Sequence, residues 1–279
     1  MSNFSIPEGQ YADIGEIAGC AQRVHYHEQG SGDAVIFLHG AGGGASGYSN
    51  FKGNYPEFAQ AGFRAIVPDL LGYGLSSKTE TPAQYDLDFF IAGLKGLVDQ
   101  LGLKNITLLG NALGGAVALG YALQHPGDVK SLILMAPGGV EDLDTYLAMP
   151  GIANMFAIYK SGKTGREAMR AVMSMQLVDQ SLLTDAIIDE RAPIAATQTQ
   201  AARSVLVVPN MTQQLPQLQC NVLAFWGMQD AFNPVGGADT LARGIANCRV
   251  VLVNQCGHWV QVEHREMFNR TCIDFLQNG

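Results

Sequence analysis

Four stretches of this 279-residue chain set residue types suited to nucleophilic chemistry just after short apolar runs. Gly110-Asn111-Ala112-Leu113-Gly114 follows the run Ile106–Leu109 and opens a helix-length segment. Its glycines have the spacing of a nucleophile elbow, in which a strand turns sharply into a helix and the middle side chain is exposed at the helix N-terminus. That position calls for serine, and Ala112 has no hydroxyl with which to attack. His39-Gly40-Ala41-Gly42-Gly43-Gly44-Ala45 leaves the run Ala34–Leu38 and has the form of an oxyanion loop. Its backbone N–H groups, from Ala41 or from Gly42 and Gly43, would hold a tetrahedral oxygen together with the N–H of Leu113. Asp230 follows Val222–Trp226, and His258 follows Arg249–Val253. His258 reads as the general base and Asp230 as the group that fixes its tautomer and stabilises the imidazolium.

Each stretch has a plainer reading. The elbow spacing alone is a weak signal. Gly40, Gly42 and Ala45 nearly fit a dinucleotide fingerprint, but the acidic ribose partner is missing where it should stand, and Asp69 reads as structural in its Pro-Asp-Leu-Leu-Gly-Tyr-Gly turn. His39 reads as a hydrogen-bonding residue. His25 and His27 fall on an alternating edge hairpin, His125 ends a helix and His264 starts one. No histidine set has metal-ligand spacing, so no metal and no cofactor is expected. Cys256 has no second base beside it.

These groups must be carried by an ordered scaffold. The six apolar runs, including Arg64–Val67 and Ser131–Met135, are nearly continuous in hydrophobicity, as in parallel strands covered on both faces. Helical spacing alternates with them at Asp86–Leu101 and at the almost wholly apolar Gly114–Leu123, which makes the chain α/β. Candidate site residues then fall at the C-terminal ends of strands, where open α/β sheets place their sites. The rhythm breaks over 138–211. This stretch is rich in Met, Ala, Leu and Gln and has one strand-like run, Ser204–Val208. It reads as short helices inserted between two strands, with its methionines divided between core and an adaptable pocket.

Composition fits such a scaffold. The chain is 47% hydrophobic and 15% charged, with net charge −8, which excludes disorder and disfavours nucleic acid or an anionic membrane as partner. Five cysteines without framework spacing, no basic start followed by an apolar run, and no long apolar stretch together read as a cytoplasmic protein that enters no membrane.

Taken together, Gly40–Asn50, Gly110–Gly115, Ile133–Gly139, Arg191 and Cys256–His264 resemble the meta-cleavage product hydrolases of the α/β-hydrolase superfamily, over nearly the whole chain. The order 112, 230, 258 is the order of that superfamily's nucleophile, acid and base. The resemblance implies an α/β-hydrolase fold: a mostly parallel eight-stranded sheet flanked by helices, with core 1–137 and 212–279 and helical lid 138–211. It implies cleavage of a carbon–carbon bond in a 2-hydroxy-6-oxo-hexa-2,4-dienoate, a small dienol carboxylate, with no cofactor and in a homo-oligomer, dimer or higher. Arg191 would grip the carboxylate, Trp259 would add its indole N–H, and Asn111 and Asn50 would hold the polar end. Arg191 could instead pair with Asp189 or Glu190, and Trp259 could be core. The chain departs from the family by lacking proline in the oxyanion loop and, more seriously, by carrying Ala112 where the family has serine. With acid and base intact, a deliberate Ser→Ala change is favoured over natural loss of the serine. A carboxylesterase on the same scaffold and a non-catalytic small-molecule receptor remain as alternatives.

Overall fold

The computed structural model describes residues 6–81, 85–162, 165–204 and 208–279. Its strands are β1 (Gln10–Ile17), β2 (Cys20–Gln29), β3 (Ala34–Leu38), β4 (Arg64–Pro68), β5 (Ile106–Asn111), β6 (Val129–Met135), β7 (Asn221–Gly227) and β8 (Cys248–Val253). They form one eight-stranded sheet in the order β1-β2-β4-β3-β5-β6-β7-β8. The β1–β2 and β2–β4 pairs are antiparallel and the remaining neighbours parallel. This is the α/β-hydrolase fold with the expected eight-stranded, mostly parallel sheet. The continuous apolar runs follow from coverage on both faces. In β3, Ile36 and Leu38 enter one core while Val35 and Phe37 enter the other, as the two-residue period of a strand requires.

Before β6 the helices are α1 (Gly47–Phe51), α2 (Tyr55–Gln60), α3 (Leu87–Gln100) and α4 (Leu113–Gln124). Asp86 caps α3 by accepting from the Phe89 N–H at 2.8 Å, and α4 is buried along most of its length. Among the described residues, five α-helices lie between β6 and β7, α5 (Leu143–Leu147), α6 (Pro150–Lys160), α7 (Gly165–Ser174), α8 (Asp185–Thr197) and α9 (Gln200–Ser204), with short 3-10 turns at Gln180–Leu182 and Thr212–Gln217. The chain leaves and re-enters the sheet layer at one neck, where Met211 N donates to Gly139 O at 2.7 Å. After it come α10 (Gly236–Gly244), α11 (Val260–Glu263) and α12 (Arg265–Asn278). One face of the sheet packs on α3, α4 and α10, the other on α1, α2 and α12.

The strand read at Ser204–Val208 does not stand as written. Ser204 closes α9, and residues 205–207 lie outside the described ones. The hairpin containing Arg23–Glu28 is present, but its outer strand is β1, and β2 is sealed on its other side by β4. Among the described residues, no helix is long and apolar enough to cross a membrane.

Candidate active site

The elbow forms because two backbones must cross at contact distance. A Cβ at Gly110 would strike the Gly114 carbonyl, and one at Gly114 would strike the Leu38 carbonyl of β3. Ala112, between them, is held at φ 48°, ψ −109°, a conformation an L-residue adopts only when its surroundings enforce it. They do so with three hydrogen bonds: Ala112 N donates to Met135 O at 3.0 Å, and Ala112 O accepts from Ala116 N at 3.0 Å and Gly138 N at 2.9 Å. The result is a methyl group at the N-terminus of α4, facing a cavity.

Asp230 and His258 meet across the loops that follow β7 and β8. His258 Nδ1 lies 2.7 Å from Asp230 Oδ2, and Asp230 Oδ1 accepts from Phe232 N at 2.8 Å and Asn233 N at 3.0 Å. A carboxylate so placed puts the imidazole proton on Nδ1 and leaves Nε2 as the base. The two loops touch at Gly227, where a Cβ would strike the Gly257 carbonyl. Met228 N donates to Val253 O at 2.8 Å and Gln229 N to Cys256 O at 3.0 Å, so the acid loop is laced to the base loop.

The base loop is also fastened to the helical segment between β6 and β7. His258 N donates to Gln176 O at 2.8 Å. Glu263 accepts from Gly257 N at 2.6 Å with one oxygen, and from Val178 N at 2.6 Å and Asp179 N at 2.9 Å with the other. Neither Gln176 nor Glu263 was singled out from the sequence. Glu263 lies within the stretch Cys256–His264 that carries the family resemblance, and its position in that stretch is the signal that could have found it. Gln176 carries no local signal at all.

A two-lobed cavity lies over the elbow, each lobe with about 1150–1170 Å³ of atom-free space, mouth included. Ala41, Gly42, Tyr159 and Gln176 line both lobes. The first lobe holds Ala112, Leu113 and His258, and its remaining wall combines aliphatic and aromatic side chains with the amides Gln176, Gln198 and Asn233. The second holds Gly43 and Arg191. Gly42 and Leu113 thus stand with Ala112, whereas Gly43 faces only the second lobe.

Arg191 is 3% exposed on α8. Its Nη2 donates to Asn50 Oδ1 at 2.7 Å and Ser49 O at 3.1 Å, its Nε has no partner, and its guanidinium lies 4.8 Å over the Trp259 ring. The neighbouring acids are engaged elsewhere, Glu190 with Lys52 and Asp189 with Arg166. Burial pulls the guanidinium down to about 10, against the opposing pull of Glu190, so it is charged at neutral pH. Asn50 therefore orients Arg191. Trp259 both stacks on Arg191 and packs with Met169, Met173, Leu177, Leu183 and Ile188. Asn111 Nδ2 bonds weakly to the carbonyls of Met135 (3.3 Å) and His258 (3.4 Å), while its Oδ1 is buried without a partner. These three residues stand behind the cavity wall and line neither lobe.

The remaining candidates take structural places. Asp69 Oδ2 meets His25 Nδ1 at 2.8 Å and accepts from Leu75 N at 2.8 Å, and Oδ1 accepts from Gly47 N at 2.8 Å. His39 Nδ1 lies 2.8 Å from Gly40 O, and its Nε2 accepts from Leu70 N at 3.0 Å. Burial pushes the Cys256 thiol far up, with Glu263 adding to it, which makes it a poor nucleophile. Among the described residues, no group of three or more His, Cys, Asp or Glu side chains could hold a metal ion.

Comparison with known proteins gives the same fold and places the chain in a family. The family described as alpha/beta hydrolase fold matches residues 33–265. A 2-hydroxy-6-oxononadienedioate/2-hydroxy-6-oxononatrienedioate hydrolase from Comamonas testosteroni is 34% identical over 266 residues, 92% of each chain. A 2-hydroxy-6-oxo-6-phenylhexa-2,4-dienoate hydrolase from Burkholderia cepacia has the same identity and coverage. Among solved structures, a serine-to-alanine mutant of the meta-cleavage product hydrolase CumD from Pseudomonas fluorescens, complexed with acetates, superposes with TM-score 0.82 at 26% identity, covering 96% of this chain and 97% of that one. The chain belongs to the meta-cleavage product hydrolase family of the α/β-hydrolase superfamily.

Proposed function

We propose that this scaffold hydrolyses the C–C bond beside the 6-ketone of a 2-hydroxy-6-oxo-hexa-2,4-dienoate, and that Ala112 stands where the nucleophilic serine belongs. The observation that carries the reading is Arg191: a buried cation without a carboxylate partner, in the lobe adjoining the one lined by His258, which Asp230 holds from behind. A buried charge is costly unless paired, and a substrate carboxylate would pair it through the guanidinium's fork of donors. A neutral ester offers nothing to that site. Relatives at 34% identity over 92% of the chain act, by name, on such dienoates.

In this mechanism Arg191 anchors the carboxylate in the second lobe. The dienol ketonises, with a proton moving from the 2-hydroxyl to C5, so that the breaking C5–C6 bond is conjugated to an electron sink. His258 Nε2 takes the proton of the attacking hydroxyl as its oxygen bonds to C6, and the N–H groups of Leu113 and Gly42 hold the resulting oxyanion. Breaking C5–C6 sends its electron pair through C3 and C4 onto the 2-oxygen, which takes the proton from His258 to give 2-hydroxypenta-2,4-dienoate; water, deprotonated by His258, then attacks the ester left on the serine and breaks its C–O bond, releasing the carboxylic acid as the serine oxygen regains the proton. The helical segment 138–211 acts as the lid over both lobes.

With alanine at 112 the chain binds substrate and turns it over very slowly. Restoring the hydroxyl tests this. Ala112→Ser should raise kcat on 2-hydroxy-6-oxo-6-phenylhexa-2,4-dienoate by about 10⁴-fold or more, followed as loss of the dienolate absorbance. Activity of that variant on neutral esters alone would establish a carboxylesterase instead. Inertness on both would establish a receptor.

A further inference from the structure

The oxyanion loop has much freedom to lose and weak fastenings of its own. Gly42, Gly43 and Gly44 stand in succession, and glycine gives up more conformational freedom on ordering than any other residue. Inside the loop, Ala45 N donates to Gly42 O at 3.3 Å, and the Ser49 hydroxyl donates to Gly44 O at 3.5 Å. Both bonds are long for their kind. A donor on such a loop stabilises an oxyanion well only if it is already in place when the charge forms. Gly42 therefore needs support from outside the loop.

That support comes from α8. The backbone carbonyl of Arg191 lies against Gly44, so near that an added Cβ would come within 2.5 Å of it. Where α8 ends, the chain turns extended at Gln198 (φ −78°, ψ 131°). The side-chain Oε1 of Gln198 accepts from Gly44 N at 3.4 Å. Gln198 is buried, and it lines the first lobe together with Gly42, Ala112 and His258. A bond of this length is weak in water, but burial removes the water that would compete for it. The helix that carries Arg191 thus also reaches the loop that carries Gly42.

We propose that Gln198 is a positioning residue: by accepting from Gly44 N it braces the oxyanion loop, so that the Gly42 N–H stands ready for the oxygen that develops at C6. This rests on the function proposed above. Because Arg191 and Gln198 belong to one element, the seat of the substrate carboxylate and the brace of the oxyanion loop are set in place together.

Gln198→Met keeps the length of the side chain and removes its oxygen acceptor. In the Ala112→Ser protein it should lower kcat on 2-hydroxy-6-oxo-6-phenylhexa-2,4-dienoate about tenfold, a part of the roughly 100- to 1000-fold that losing a whole oxyanion donor costs. In the protein as it stands, Ala112 permits equilibrium titration. There Gln198→Met should change the dissociation constant of the same compound by less than about twofold, because the oxyanion exists only in the reaction. Stiffening the loop should replace the brace. Gly43 alone of the three glycines is not at positive φ, and a Cβ there would meet nothing nearer than the Tyr159 hydroxyl at 3.9 Å, so proline fits at that position. In a Gly43→Pro background the kcat cost of Gln198→Met should shrink to about twofold or less. An unchanged kcat, a matched fall in kcat and affinity, or a kcat cost undiminished by Gly43→Pro overturns the proposal and leaves the C–C hydrolase reading intact. If Gly43→Pro silences the enzyme by itself, the split between kcat and affinity decides alone. Inertness of Ala112→Ser towards the dienoate overturns that reading and this role of Gln198 with it.

Discussion

Arg191 shows how much a single residue's meaning depends on its surroundings. In the sequence it stands beside Asp189 and Glu190 and could pair with either. The fold separates them: Asp189 turns to Arg166, Glu190 to Lys52, and Arg191 alone faces the cavity. That outcome depends on which face of α8 is buried, and local sequence does not encode it. Arg191→Gln should weaken binding of a dienol carboxylate by about 100-fold or more, since it removes a charge-assisted pair from a desolvated site. The fold should survive, because the same change also removes an uncompensated buried charge. Titration of both proteins with one dienoate checks this, and equal affinities would remove Arg191 from the binding site. By contrast, Ala112, Asp230 and His258 were legible from sequence alone. The elbow needs glycines at fixed offsets, and the acid and base fall just beyond strand ends that hydrophobicity marks clearly.

At the scale of elements, legibility follows burial. The central strands and α4 are covered nearly all round, so their sequences are unbroken apolar runs. Strand β1 is mostly exposed and lacks clean alternation. It forms because the turn at Ala18-Gly19, both at positive φ, folds it onto β2, and no periodicity announces that. The helices α5–α9 were expected only as a group. They are short, and α8 carries Pro193 within its span, so local patterning blurs their limits. Their junction with the base loop is likewise a product of tertiary structure. Glu263 joins Gly257 to Val178 and Asp179 through three N–H donors. This makes it a positioning residue for His258, one step from the substrate. In the Ala112→Ser protein, Glu263→Gln weakens the charge-assisted acceptors but keeps the shape. It should lower kcat about tenfold with little change in KM, and Glu263→Ala should lower kcat further. A matched fall in expression or stability with unchanged kcat would make Glu263 merely structural.

Over the whole molecule, the sheet joins two apolar layers, and the polar groups caught between them make its stability depend on pH. His39 lies fully buried behind the oxyanion loop, with Nε2 accepting from Leu70 N, a role only the neutral ring can fill. Burial, aided by the charge on Arg191, lowers its pKa, and the attraction of Asp69 and the hydrogen bond to Gly40 O only partly oppose this. His27 is lowered as well, by burial and by His25. The sign follows from proton binding. Below the ordinary histidine value of 6.5 the unfolded chain takes up protons that these folded rings resist, so stability is fully present above that pH and is lost as pH falls below it. Each ring that stays neutral contributes up to about 1.4 kcal/mol of loss per pH unit. Urea unfolding should therefore give a lower free energy at pH 5 than at pH 7.5, with a contribution from His39 of at most about 2 kcal/mol on that slope. His39→Gln can still hydrogen-bond but cannot titrate. It should be less stable than the parent at pH 7.5 and lose less on acidification. An equally steep acid limb in that variant would transfer the pH dependence to other groups. Because the same ring braces the loop that supplies Gly42, loss of substrate binding in the parent should begin in the same pH range, before global unfolding.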